Sequence, residues 1–157
     1  MSCRNRGREA AARLGDRRRN DGLSVVYTSD LRRAVHTTEI AFAGAEIPVI
    51  RDARLRECNY GALNGRPREE VHAYGIDERY PDGETWREAV ERVEGFLREL
   101  PDEHDGERVL IVAHMSAWYA LERLANGRTL EEVVGTRMNW QEGWEYSLSP
   151  AQSQSRQ

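Results

Sequence analysis

The chain has 157 residues, 39% of them hydrophobic and 32% charged, enough for one domain whose core takes roughly two-thirds of the unfolded surface out of water. Its 23 basic residues against 27 carboxylates leave a net charge of −4, which excludes a global field for nucleic acid or an anionic membrane, so any anion site must be local. Cys3 and Cys58 have no metal-ligand spacing, no run approaches membrane-spanning length and no apolar leader opens the chain; zinc, a disulfide framework and export are therefore not indicated, and a reducing cytoplasm fits best.

The segment Arg6 to Arg19 reads as a helix with a narrow apolar stripe. Leu23 to Tyr27 (LSVVY) is a short strand, and Thr28-Ser29-Asp30 is a natural N-cap cluster for a helix over Leu31 to Phe42. Pro48-Val49-Ile50 suggests a second strand, Arg54 to Gly65 an irregular stretch, and Pro67 to Tyr74 a weak helix. The turn Tyr80-Pro81-Asp82-Gly83 leads to Thr85-Trp86-Arg87-Glu88, a capping box. Ala89, Val90, Val93, Phe96, Leu97 and Leu100 then recur on one helical face, before a loop over Pro101 to Gly106. Val109 to Ala113 is continuously apolar, as in a strand buried on both faces, and His114 follows it directly. A helix over Ser116 to Leu124, a second capping box at Thr129 to Glu132 and an edge-type strand at Trp144 to Leu148 complete the pattern. This alternation predicts an α/β protein, a three-layer α/β/α arrangement with a mostly parallel sheet. It predicts a single domain over 1–149 and a disordered tail over 150–157.

Ligands of parallel α/β sheets bind beyond the carboxyl ends of the strands, at helix N-termini. Two places qualify, Tyr27 to Ala34 and Val112 to Ser116. Arg32 or Arg33 could grip a phosphate bidentately, although a solvated helix-surface cation is the commoner outcome. The all-arginine basic set has a plainer reading in codon bias than in phosphate chemistry. His114, at the end of an apolar strand, needs polar partners in a half-buried place, whereas His36, His72 and His104 read as solvated or capping residues. Glu57 could serve as a general acid if its surroundings raised its pKa, against a general expectation of solvation.

Taken together and in order, these segments resemble the histidine phosphatase (phosphoglycerate mutase-like) superfamily. The stretch YTSDLRRA over Tyr27 to Ala34 resembles the family segment whose arginine binds the phosphoryl group, here Arg33. RLRECNYG over Arg54 to Gly61 is similar to the acid-bearing segment, with Glu57 in the proton donor's place. Pro81-Asp82-Gly83-Glu84-Thr85 resembles the family's P-x-G-E-S turn, and Val109 to His114 the strand ending in its second histidine. The segment Asn139 to Tyr146 resembles that of the small phosphatases more than that of the glycolytic mutases.

The resemblance implies a phosphohistidine mechanism without cofactor or metal, acting on a small phosphorylated metabolite. Arg33 and His114 would bind phosphate, Glu57 and His114 would be catalytic, and Ser29, Asn59, Tyr60 and Met115 would line the substrate site. Two departures matter. Met115 stands where the family places glycine, and no Arg-His-Gly triplet carrying the nucleophile occurs in the chain. The expectation is therefore a member that lacks the family's first, central strand and is inactive as it stands. A phosphoglycerate mutase-type phosphotransferase and a non-catalytic phosphate binder are the alternatives, and a sheet without its central strand leaves room for self-association into a homo-oligomer.

Overall fold

The structure, a computed structural model, describes residues 3–150. Most of the expected tail thus lies outside the described residues. Helix α1 (Cys3–Arg18) opens the described chain, followed by strand β1 (Leu23–Thr28) and helix α2 (Arg32–Ala41). Strand β2 (Val49–Arg51) leads through two 3₁₀ turns, at Ala53–Leu55 and Gly61–Leu63, to the single-turn helix α3 (Arg68–Val71). The long helix α4 (Trp86–Glu103), strand β3 (Arg108–Val112), helix α5 (Met115–Asn126) and helix α6 (Leu130–Gly135) follow.

The three strands form one parallel sheet in the order β2-β1-β3, with Val26 paired to Val49 on one side and to Leu110 on the other. Because side chains alternate across a strand, β1 feeds two cores. Val25 and Tyr27 pack with Val109 and Ile111 against α4 and α5. Val26 packs with Leu110 and Val112 against Leu14 of α1 and Ala41 of α2. The result is the predicted α/β/α layering. Gly15 of α1 lies so close to the Ala41 backbone that a Cβ there would collide with its carbonyl, so α1 and α2 meet backbone to backbone at this point.

Both capping boxes form. Thr85 accepts the Glu88 N–H while Glu88 reaches back to the Thr85 N–H, and Thr129 and Glu132 do the same. Four expectations change. Helix α4 runs past Pro101 to Glu103, since Leu100 and Pro101 are buried and the His104 N–H closes the last turn on Leu100. The N-cap of α2 is Leu31, with no side-chain cap, because Ser29 is turned toward β3 instead. Trp144 to Leu148 forms no strand; Trp144, Tyr146 and Leu148 instead line an irregular wall beside β3. Strand β3 itself is half-buried rather than buried, since among the described residues it has a strand neighbour on one side only.

Candidate functional site

The parallel strands end side by side, with a polar residue close behind each: Ser29 directly after β1, Asp52 directly after β2 and His114 just beyond Ala113 after β3. Backbone bonds tie these ends together. The Ser29 N–H donates to the Val112 carbonyl at 3.2 Å, and the Asp52 N–H to the Thr28 carbonyl at 2.9 Å.

Ser29 is fully buried and its Oγ lies 2.6 Å from His114 Nε2. The Leu31 N–H donates to the same Oγ at 3.3 Å. The Ser29–His114 bond ties the ring to the buried hydroxyl and fixes the orientation of the imidazole. Burial, then the charges of Arg33 and Arg92, push the His114 pKa down to about 4. The imidazole is neutral at pH 7. Arg33 lies in the first turn of α2, exposed, and among the described residues its guanidinium has no hydrogen-bond or ion-pair partner. A cation without a partner beside a neutral histidine leaves the pair open to an anion.

Glu57 is placed at the start of α5. Its carboxylate accepts the N–H groups of Met115 at 3.2 Å, Ser116 at 3.0 Å and Cys58 at 3.1 Å. The His114 side chain does not cap the helix, so Glu57 supplies the negative charge that its N-terminus favours. Met115 thus takes part through its backbone. Asn59 and Tyr60 lie on the same loop. Asn59 Oδ1 accepts the Gly61 N–H at 3.0 Å and shapes the turn, and Tyr60 packs edge-on against Tyr80 with centroids 5.1 Å apart. Burial pushes the Tyr60 and Tyr119 phenols up, with the Glu57 charge adding to both. Burial also pushes the Cys58 thiol up to about 12, so that side chain is an inert core residue.

Two residues that hold this loop were not legible as site residues. Arg92, on α4, donates to the carbonyls of Arg54 at 2.8 Å and Arg56 at 3.0 Å, and pairs with Glu84 at 2.9 Å. Glu84 in turn accepts the Asn59 N–H at 2.9 Å. Gly61 and Gly83 let the two backbones touch: Gly61 has φ +53°, and a Cβ on it would fall on the Pro81 carbonyl oxygen. The P-D-G-E turn is therefore a brace for the loop that carries Glu57. Among the described residues no group of three or more His, Cys, Asp or Glu side chains is placed to hold a metal ion.

The profile of the histidine phosphatase superfamily (branch 1) matches residues 4–142. The chain belongs to the histidine phosphatase superfamily. It is 32% identical to the uncharacterized phosphatase PhoE of Bacillus subtilis over 84% of this chain and 68% of that protein. It is 35% identical to a 2,3-bisphosphoglycerate-dependent phosphoglycerate mutase of Corynebacterium diphtheriae over 74% of this chain and 63% of that one. The chain thus spans about two thirds of the length of these relatives. Among solved structures, Bacillus stearothermophilus YhfR superposes with a TM-score of 0.73 at 28% identity, covering 86% of this chain and 72% of that one.

In this histidine phosphatase chain the four motif segments converge. The end of β1 brings Ser29 and Arg33, the end of β3 brings His114, and the Glu57 loop closes over the start of α5, braced by the Glu84 turn. His36 and His72 are exposed, and His104 sits at the other end of β3, where it bonds the Tyr27 hydroxyl at 2.8 Å and Glu107 at 2.7 Å.

Proposed function

We propose that this chain binds the phosphoryl group of a small phosphorylated metabolite between Arg33 and His114. The observation that carries the reading is the Ser29–His114 hydrogen bond of 2.6 Å at the ends of adjacent parallel strands, beside Arg33, whose guanidinium has no partner among the described residues. Arg33 offers a two-pronged contact to two phosphoryl oxygens. The His114 ring, neutral before binding, takes up a proton as an anion arrives. Ser29 holds the ring in orientation. Asn59, Tyr60 and Met115 border the side on which a leaving group would lie.

In the complete chemistry of the family a histidine attacks phosphorus, and Glu57 would then protonate the leaving oxygen and activate water, with no metal needed. Glu57 would have to exchange its amide partners at α5 for the leaving oxygen to do so. His114 cannot replace the nucleophile, because one imidazole would have to attack in line and neutralise the equatorial oxygens at once. The 157-residue polypeptide is therefore a phosphate binder with little or no turnover of its own, of the phosphatase rather than the mutase type. The segment Asn139 to Tyr146 and the relative named a phosphatase favour that type. A mutase remains the second reading because a relative of similar identity carries that name, and substrate profiling separates the two. The cytoplasm suits the chain, and self-association through β3 belongs to the same proposal.

Calorimetry with inorganic phosphate tests the binding: the chain should bind, and Arg33→Gln should weaken binding roughly tenfold or more. Release of phosphate from p-nitrophenyl phosphate should stay at background. Robust turnover that His114→Ala abolishes would overturn the assignment of a non-catalytic chain. Failure to bind phosphate or vanadate would overturn the site.

A further inference from the structure

Two carboxylates stand at the carboxyl ends of the strands, Asp30 one residue after Ser29 and Asp52 directly after β2. Arginines of one short segment, the one that leads to Glu57, hold both. Arg54 pairs with Asp52 at 2.8 Å, a local contact in which Asp52 also accepts the Arg54 N–H and caps the 3₁₀ turn. Arg56 reaches Asp30 across 26 residues of sequence with a two-pronged fork, Nε at 2.6 Å from Oδ1 and Nη2 at 2.5 Å from Oδ2. Asp30 follows Ser29 in the chain and Arg56 precedes Glu57, so the pair closes a ring of contacts. It runs from Ser29 to the His114 ring, from the Met115 and Ser116 N–H groups to Glu57, and from Arg56 back to Asp30.

The Arg56 side chain is not what places the loop. Its backbone carbonyl already accepts from Arg92 at 3.0 Å and from the Ser116 hydroxyl at 3.1 Å. The side chains of Arg56 and Asp30 are 52% and 30% exposed, and a pair so open to water adds little to stability. What the pair changes is the local charge. The Arg56 guanidinium, with the Arg51 charge adding to it, holds the Asp30 carboxyl below the usual carboxylate range, so Asp30 stays ionised. A bare carboxylate next to Ser29 would repel a phosphoryl dianion arriving at Arg33 and His114. Joined to a guanidinium it becomes a neutral pair whose field falls off over a few ångströms.

We propose that Arg56 is a positioning residue of the phosphate site: it holds the Asp30 carboxylate as a neutral pair, so that Arg33 and His114 meet an incoming anion with no uncompensated negative charge beside them. This rests on the phosphate site proposed above. Arg56 acts through Asp30 and makes no contact with the anion itself. The consequence is a pair of substitutions with opposite signs. Removing the cation bares a carboxylate and weakens phosphate binding, whereas removing the carboxylate leaves a cation uncompensated and strengthens it. A pair that only braced the loop would weaken binding when either half was lost.

Calorimetry with inorganic phosphate, on the intact chain at neutral pH and low salt, reads the signs. Arg56→Gln should weaken binding roughly two- to fivefold and Asp30→Asn should strengthen it by a similar factor. The double substitution should return the affinity to within about twofold of the unsubstituted chain. Arg56→Lys, which keeps the charge without the fork, should recover most of what Arg56→Gln loses. All these differences should shrink as salt is added. Thermal melts establish that each variant is folded.

Weaker binding by folded Asp30→Asn, an unchanged affinity in both single variants, or differences that survive high salt would overturn the role of Arg56. If the unsubstituted chain binds phosphate and the variants depart from this pattern, that role alone falls. If the unsubstituted chain binds no phosphate, the phosphate site falls and takes the role of Arg56 with it.

Discussion

His114 bonds a buried hydroxyl and feels the charge of Arg33, and its titration should be readable in the stability of the whole chain. Its pKa falls from 6.5 to about 4 on folding, through burial first and the Arg33 and Arg92 charges second. A base whose folded pKa is depressed takes up its proton more readily in the unfolded chain. Its contribution is fully present above pH 6.5 and is lost as the pH falls from 6.5 toward 4. Discounted for partial solvent screening, the loss amounts to about 1–2 kcal/mol. His114→Gln keeps an acceptor for Ser29 but cannot titrate. Urea unfolding at the two ends of the window should show the variant losing about 1–2 kcal/mol less than the unsubstituted chain. An identical loss in both would show that His114 is not the group responsible. At this scale part of the candidate site was legible: Arg33 and His114 sit in segments whose residue types suit an anion, and the fold brings them to neighbouring strand ends, with Glu57 at the start of α5. The Ser29 bond to His114 was not, since it links positions 85 residues apart and nothing local to either predicts it. Glu57 was read as a proton donor, while its position as the anion on the α5 N-terminus depends on a loop path that sequence spacing does not encode.

At the scale of elements, α4 does two jobs with two faces. Val90, Val93, Phe96 and Leu97 were visible as its apolar stripe and form the core against β1 and α5. Arg92 lies on another face, where a helix cation is ordinarily solvated. It became a brace only because the 3₁₀ turn at Ala53–Leu55 brings carbonyls of the Arg54 to Glu57 segment beside it. Its guanidinium satisfies those carbonyls and both oxygens of Glu84 from one planar fork. Arg92→Gln should cost about 2 kcal/mol, since it leaves half-buried carbonyls and a carboxylate short of partners. Arg92→Lys keeps the charge but not the fork and should recover less than half of that loss. Denaturant unfolding of both variants checks this ordering, and full recovery by lysine would reduce the brace to simple charge pairing. Element types were legible wherever a cap or a period was strong, as at Thr85 and Thr129. They failed at Trp144 to Leu148, where the alternation of apolar and polar side chains reflects packing onto β3 and α5 without any ladder: the Tyr146 hydroxyl donates to Glu122 at 2.6 Å.

For the molecule as a whole, the decisive feature is the position of β3. Its sequence, Val109 to Val112, is that of a strand with apolar neighbours on both faces and a partner on each edge. Along one edge β1 pairs with it from Leu23 to Thr28. Along the other, among the described residues, no strand is paired, and Leu100, Trp144, Tyr146 and Leu148 border a groove of about 200 Å³ that opens onto Val109 and Ile111. Sequence periodicity specifies which faces a strand buries but not what lies beside it, which is why an apolar run read as central stands here at an edge. Proteins ordinarily blunt such edges with charge, and β3 offers only Arg108 at its first position. Extended backbone with unpaired N–H and carbonyl groups, backed by apolar side chains, is a template for another strand. The chain should therefore associate with itself through this edge. In sedimentation velocity the average mass should exceed that of one chain and rise with concentration. Amides of β3 should gain protection from hydrogen exchange over the same range, more than those of β2 at the opposite edge. A single species with the mass of one chain at all concentrations would show that the side chains lining the groove suffice to shield the edge.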